Sequence, residues 1–215
     1  MPAKLVYSVA DSLSTEAGIY LRSIPSVMAE YSPKGGNIKF IINSKLPSQG
    51  YILIINSQTI GVEYSTLQGL WYAVVSLKVL NQNYHGLIPC VSIEDFPDLE
   101  TRGLMVDISR DKVPTRETLL QISQLLSDLK FNHLELYIEG LSFAYPSFSE
   151  LWEGKETPVT GEDIRALDSF CRSHFIDLVP NQNMLGHMMQ WLDADRFRDL
   201  AENGWLAVMA MLCRS

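Results

Sequence analysis

Three short groups of polar residues, each at the end of an apolar run, carry whatever chemistry this chain performs. "GLMVDIS" contains Asp107 and Ser109 and is followed by Arg110; "HLELYIE" supplies Tyr137 and Glu139; "IDLVPN" leads into Asn181, Gln182, Asn183 and then His187. Neutral amides, acids and an arginine, with Tyr145, Trp152 and Trp191 in the following loops, suit a ligand with many hydroxyls and an apolar ring face. That is the chemistry of a sugar, whose hydroxyls take directional hydrogen bonds while its ring face packs on an aromatic. Each residue also has a plain structural reading. Asp107 and Arg110 can pair across a turn, Asn181 to Asn183 can serve as turn residues, His187 can be a satisfied histidine, and the tryptophans can be packing. The case for a site therefore rests on coincidence of position.

Position follows from the elements. "GLMVDIS" is nearly continuous in apolar character, the mark of a strand buried on both faces. A helix is expected from about Thr115 to Lys130, with Leu119, Ile122, Leu126 and Leu129 on one side. "HLELYIE" is the next strand, and a longer loop runs from Gly140 to Val159. A third element opens where Thr160 and Asp163 stand at capping-box spacing, with Ile164, Leu167 and Cys171 as its inner face. "IDLVPN" completes a βα, βα, β pattern suited to a parallel sheet. In such sheets and barrels ligands sit at the carboxyl ends of the strands, so all three polar groups reach one rim.

The first part, to about residue 95, has another rhythm. "KLVYSV" and "NIKFIIN" read as strands, with a helical stretch near Leu13 to Leu21 between them. "GYILIIN" and "QTIGVE" read as a hairpin turning near Ser57 and Gln58. After Tyr64 a helix is expected, with Ser65 and Gln68 at capping-box spacing and Leu67, Leu70, Trp71, Val74 and Leu77 as its apolar stripe. "LIPCVSI" reads as a closing strand. Two helices on one face of locally paired strands make an α+β layer whose scattered polar residues suggest support rather than catalysis. "EDFPDLETRG" is the expected boundary, giving domains 1–95 and 96–215.

Composition narrows the partners. A net charge of -8 and the absence of any Lys/Arg cluster argue against nucleic acid. Cys90, Cys171 and Cys213 are odd in number and widely spaced, which reads as buried hydrophobes in a reducing compartment rather than a disulfide framework. "MPAKLVYSVADS" lacks a sustained apolar core, and the apolar run from Trp205 to Leu212 is far shorter than the roughly 18 residues of a membrane span. The expected address is the cytoplasm, with no membrane partner. The four histidines have no metal-site spacing, and there is no nucleophile elbow, P-loop or dinucleotide fingerprint; "KGG" at 34–36 is a turn signal.

"RGLMVDISRDKVP" resembles the opening of the catalytic barrel of glycoside hydrolase family 20, the β-N-acetylhexosaminidases. "LWEGKETPVTGEDIRALDSFCRSHFIDLVPNQNMLGHMMQW" is similar to a divergent cytosolic branch of that family, in which Pro-Asn-Gln-Asn and then Gly-His follow the third strand. The preceding α+β part resembles the family's accessory domain. The resemblance implies a small α+β N-terminal domain followed by the first three βα units of a (β/α)₈ TIM barrel. It also implies an exo-hydrolase for terminal N-acetylhexosamine residues of glycans, without metal or cofactor. The substrate's own acetamide attacks the anomeric carbon in that family, and an Asp-Glu pair after the fourth strand orients it and supplies the acid. By motif match Arg102 would bind sugar hydroxyls and His187 would line the pocket. Barrel geometry alone instead gives Arg102, at the start of its strand, a stabilising role; the expectation follows the resemblance. With Asp107, Glu139, Asn181 and Asn183 these complete the expected substrate-binding set. Many family members carry Asp-Asp where this chain has "YIEGLSFAY", so Glu139 is an approximate stand-in.

A complete barrel takes about 250 residues, and three strands cannot close one. They should leave an unpaired edge and exposed apolar faces. No catalytic residue is assigned, because the Asp-Glu pair has no counterpart here. The expectation is a chain interrupted before that pair, with "NGWLAVMAMLCRS" either the product of a frameshift or early stop or a helix covering the open edge. A carbohydrate-binding fragment without catalysis is the alternative function, and an unrelated α/β interaction protein a third.

Overall fold

A computed structural model of the protein describes residues 4–8, 14–110, 112–154 and 157–201. Its contacts divide the chain between Glu100 and Thr101. The N-terminal unit holds strands β1 (Lys4–Ser8), β2 (Met28–Tyr31), β3 (Ile38–Ile42), β4 (Tyr51–Ile55), β5 (Ile60–Tyr64) and β6 (Val91–Asp95), with helices α1 (Ser14–Arg22) and α2 (Leu67–Asn83). They form one six-stranded sheet in the order β2-β1-β3-β5-β4-β6. The β4–β5 hairpin pairs Tyr51 with Tyr64 and Ile55 with Ile60. Its turn is fixed by Asn56 Oδ1, which accepts from the backbone N–H of Gln58 at 3.0 Å and of Thr59 at 2.8 Å. Asparagine side chains close turns in this way. Alternate residues of β4 and β5 are buried, and α2 packs on those strands while also meeting α1. Both helices thus share one face, as their apolar periodicity requires.

Several details differ from the sequence reading. β2 was not expected: it is a four-residue edge strand whose Met28 is exposed, too short and too wet to show a period. β1, β2, β3 and β5 run parallel, so pairing in this half is less local than supposed. The cap of α2 is Thr66, whose hydroxyl accepts from Gly69 N at 3.3 Å, one position after the expected Ser65. The last strand begins at Val91 rather than Leu87, and Leu87 and Cys90 are exposed. Cys90 therefore departs from the buried-cysteine expectation that Cys171 meets.

The C-terminal unit is a three-stranded parallel sheet in the order β7-β8-β9, formed by Gly103–Asp107, His133–Ile138 and Asp177–Gln182. Helices α3 (Arg116–Asp128) and α5 (Gly161–Ser173) connect the strands, with a single helical turn, α4 (Ser149–Trp152), in the loop before α5. The capping box of Thr160 and Asp163 is present. Ile108, Leu134, Leu136 and Ile138 bury their side chains against Leu119, Leu126, Leu167 and Cys171 of the two helices. Leu129, expected in that row, caps α3 and is exposed. The central strand β8 alternates buried and half-buried along its whole length.

β7 does not bury both faces: Leu104 and Met105 are 42% and 56% exposed. It lies at one edge of this sheet, with β8 as its neighbour on one side only. β9 forms the other edge and contains Pro180. The amides of Asp177 and Asn183 bond toward β8, so by alternation Pro180 faces outward and its missing N–H removes no bond of the existing ladder.

Three helices end alike, with a non-glycine residue in the left-handed position. His85, Lys130 and Phe175 all have left-handed φ, at 48°, 59° and 58°. Each is followed by an amide that bonds back five residues: Gly86 to Asn81, Phe131 to Leu126, Ile176 to Cys171. This is the Schellman closure, whose recovered carbonyl bonds offset the roughly 1 kcal/mol that a non-glycine residue pays there. Among the described residues no helix is long and apolar enough to cross a membrane. The run Trp205 to Leu212 and Cys213, with the covering helix considered for the tail, lie outside the described residues.

Candidate functional site

Register decides which side chains meet. Asp107 pairs with Tyr137 and Tyr137 with Asn181, and partners in a parallel pair project to the same side. The face opposite α3 and α5 thus receives Asp107, then Glu135, Tyr137 and Glu139, then Asn181 and Asn183. The helix-facing side takes the apolar residues between them. An alternation that looked like mere amphipathicity therefore assembles a polar surface.

At its upper edge Arg110 is the hub. Its Nη2 donates to Glu139 Oε2 at 3.1 Å, and its Nη1 lies 3.5 Å from Asp107 Oδ2. The guanidinium also lies 5.3 Å from the centre of the Tyr137 ring. The Glu139 hydrogen bond, the Glu139 charge and the Asp107 charge together push the arginine further above its ordinary value. Tyr137 donates its hydroxyl to Glu139 Oε2 at 3.1 Å and accepts from Asn183 Nδ2 at 2.6 Å. His187 Nδ1 stands 3.3 Å from Glu139 Oε1. Asp107 Oδ1 accepts from the amides of Ser109 at 2.8 Å and Arg110 at 3.3 Å, which folds the chain so that Arg110 turns over the strand ends. Arg110 and His187 are open to solvent, whereas Glu139 is largely covered.

The expected set is only partly gathered here. Asp107, Glu139, Asn183 and His187 form one network, and Arg110 belongs with them. Asn181 points one layer deeper, donating to Glu135 Oε1 at 2.5 Å; His133 Nε2 lies 3.7 Å from the other oxygen of that carboxylate. Gln182 turns toward the other face, where it accepts from the Tyr145 hydroxyl. Arg102 lies apart from this network. It precedes β7, at the end opposite Asp107, and its Nε and Nη2 donate to the Lys130 carbonyl at 3.0 and 2.7 Å. Those bonds hold the end of α3, the kind of contact that barrel geometry gives an arginine at the start of its strand. The two arginines of "RGLMVDISR" flank one strand, and only the second reaches the rim.

The tryptophans pack. Trp191 is 9% exposed, donates Nε1 to the Gly140 carbonyl at 3.0 Å and meets the rings of Tyr145 and Phe148 with centres 5.5 and 5.3 Å apart. Trp152 donates to the Tyr145 carbonyl at 3.0 Å. They fasten the loops behind the rim instead of offering a ring to a ligand. A groove of about 340 Å³ lies on the other face of the sheet, lined by Leu136, Ile138, Phe143, Ile164 and Leu178 among others. Its lining is mainly the apolar side of the β8–β9 pair and of α5, with Tyr145, Arg165, Asp168 and Gln182 as its polar members. Among the described residues no group of three or more His, Cys, Asp or Glu side chains is arranged to hold a metal ion.

Comparison with known proteins finds similar sequences and folds. Residues 3–96 match the family model of glycosyl hydrolase family 20, domain 2. The β-hexosaminidase subunit A2 of Dictyostelium discoideum is 24% identical over 155 residues, covering 66% of this chain and 28% of its own. The β-N-acetylhexosaminidase of Bacteroides fragilis superposes with a TM-score of 0.79 at 22% identity, over 91% of this chain and 43% of that one. An exo-β-N-acetylglucosaminidase of Vibrio harveyi, in complex with N-acetylglucosamine, gives 0.72 at 22%, over 87% and 34%. The structural likeness at such identities speaks for the fold. The chain spans about a third of the length of the curated relatives it matches.

Proposed function

We propose that this chain, whose residues 3–96 match the family model of glycosyl hydrolase family 20, domain 2, carries the N-terminal region of a β-N-acetylhexosaminidase-like protein and that its rim binds a terminal N-acetylhexosamine of a glycan for hydrolysis. Its βα, βα, β segment is then the opening of a (β/α)₈ barrel, and residues 1–95 the accessory domain that precedes it in the chain. Arg110, Glu139, Asn183 and His187 take the sugar hydroxyls, and Asp107 orients Arg110. The carrying observation is the shared Glu139 carboxylate, which an arginine, a tyrosine hydroxyl and a histidine all approach at the ends of three strands. An anchored acceptor beside outward-facing donors fits a pair of neighbouring hydroxyls, which give and take hydrogen bonds at once.

Bond breaking in this family is substrate-assisted: the acetamide oxygen attacks and an acid protonates the leaving oxygen. Neither Asp107 nor Glu139 is arranged as that acid, since both accept hydrogen bonds and face Arg110. This favours a second reading, in which residues 1–215 bind the sugar without cleaving it. Calorimetric titration with N-acetylglucosamine, alongside release of nitrophenol from a nitrophenyl N-acetylglucosaminide, tests both. Binding that Glu139→Gln weakens by an order of magnitude or more, without release, is expected of this chain. Absence of binding by the unsubstituted protein would refute a sugar site at the rim, and robust release would refute the binding-only reading.

A further inference from the structure

We propose that Ser109 and Ser142 are positioning residues that clamp the main chain of Glu139 and thereby aim its carboxylate; the functional importance of that aim rests on the sugar-binding reading. Glu139 lies one residue beyond β8, where the regular ladder ends. The last main-chain rung toward β7 is Ile108 N to the Tyr137 carbonyl, at 3.1 Å, and on the β9 side Asn183 N donates to the Ile138 carbonyl at 3.0 Å. The Glu139 amide then donates to a side chain, Ser109 Oγ, at 2.6 Å. Ser142 Oγ stands 2.9 Å from Ser109 Oγ and donates to the Glu139 carbonyl at 3.3 Å. The two hydroxyls therefore hold the peptide groups on both sides of one Cα.

Serine suits this place because a hydroxyl accepts and donates at once. Ser109 Oγ can accept from the Glu139 amide while donating to Ser142 Oγ, 2.9 Å away, whose own proton goes to the Glu139 carbonyl. Ser109 is itself fixed, since its amide donates to Asp107 Oδ1 at 2.8 Å. The Asp-x-Ser-Arg segment thus holds Glu139 twice: the serine takes its backbone and the arginine its carboxylate. Beyond Glu139 the chain turns at Gly140, with φ of +61°, and Leu141 N donates to Gln190 Oε1 at 3.0 Å. Ser142 is buried, at 6% exposure, so its bonds have no ready substitute from water. A small rotation at Glu139 Cα would carry the carboxylate away from Arg110 and His187 together.

Backbone amide exchange and imidazole signals, measured by NMR on the full chain, test the clamp without any ligand. Ser109→Ala should accelerate exchange at the Glu139 amide by about tenfold, the scale of one lost hydrogen bond, with β8 core amides unchanged. It should also move the His187 ring signals in the direction that Glu139→Gln moves them. Ser109→Thr, which keeps the hydroxyl, should restore both, and Ser142→Ala should give a weaker version of the alanine effect. N-acetylglucosamine affinity should fall about tenfold in Ser109→Ala and recover in Ser109→Thr. Unchanged exchange and ring signals in both alanine variants would overturn the clamp, as would a threonine variant indistinguishable from alanine. If the unsubstituted chain takes up no sugar, the functional reading falls, while exchange and ring signals still decide the clamp.

Discussion

Arg110 and Glu139, on the turns that follow two adjacent strands, meet at 3.1 Å across the end of the sheet. Asp107 approaches the same guanidinium from the other side, at 3.5 Å. The arginine is exposed, so this contact contributes little to stability and its value lies in the geometry it presents. Lysine can neutralise the charge but cannot hold two carboxylates in a planar fork. Arg110→Lys should therefore lower N-acetylglucosamine affinity about tenfold, nearly as much as Arg110→Ala, with the melting temperature of both variants close to that of the unsubstituted protein. Calorimetry paired with thermal unfolding checks this, and a lysine variant with full affinity would refute it.

Arg102 should behave in the opposite way. It anchors the Lys130 carbonyl at the end of α3, far along β7 from the rim. Arg102→Ala removes two bonds from a charged donor, and a loss of about 2 kcal/mol is expected in urea unfolding. The affinity of the folded fraction for the sugar should stay within about twofold. A large fall in affinity at unchanged stability would return Arg102 to the site.

Asp163 supplies a pH dependence. Its carboxyl sits below the ordinary aspartate range, first because of the Thr160 hydroxyl and also through the Thr160 amide and Arg116, whose Nε donates at 2.6 Å. A depressed folded value means that this contribution is present above the unfolded pKa and is lost as pH falls through the folded one. The urea midpoint should hence drop in acid below about pH 4. Asp163→Asn should be less stable than the unsubstituted chain at pH 7, and the gap should narrow as the pH falls. A gap that persists unchanged in acid would contradict the assignment.

Gly69 tests packing against propensity in the N-terminal unit. It lies in the first turn of α2, where alanine favours the helix by up to about 1 kcal/mol. A Cβ there would stand 2.5 Å from the Gly50 carbonyl oxygen, however, and a backbone atom cannot swing aside. Gly69→Ala should lower the melting temperature despite the better propensity. A rise on differential scanning calorimetry would show that the Gly50 segment yields.

Much of this was legible in one dimension. Apolar runs of strand length, separated by helical periodicity, fix the βα, βα, β order, because only those periods bury the apolar residues on one side of each element. Thr160 and Asp163 mark the start of α5 through a local hydrogen-bond pattern that needs no distant partner. The polar groups behind each run likewise mark one rim, since parallel strands bring their carboxyl ends together. The sequence alone therefore determined the order of strands and connecting helices in the C-terminal unit and which end of its sheet is polar.

What it could not decide depends on partners remote along the chain. Asn181 and Asn183 are alike in type and face, yet one meets Glu135 and the other Tyr137, a difference of one layer that only the register with β8 sets. Arg102 and Arg110 are equally plausible in composition, but a strand separates them and places one at each end. The helix ends at Lys130 and Phe175 carry no glycine signal, because the bonds they recover come from the preceding turn and are specific to the folded backbone. The exposure of β7 was hidden too, since burial belongs to a strand's neighbours and not to its own residues. Local hydrogen bonding and periodicity act along the chain and can be read there; register, layer and coverage arise between segments and exist only once the sheet has formed.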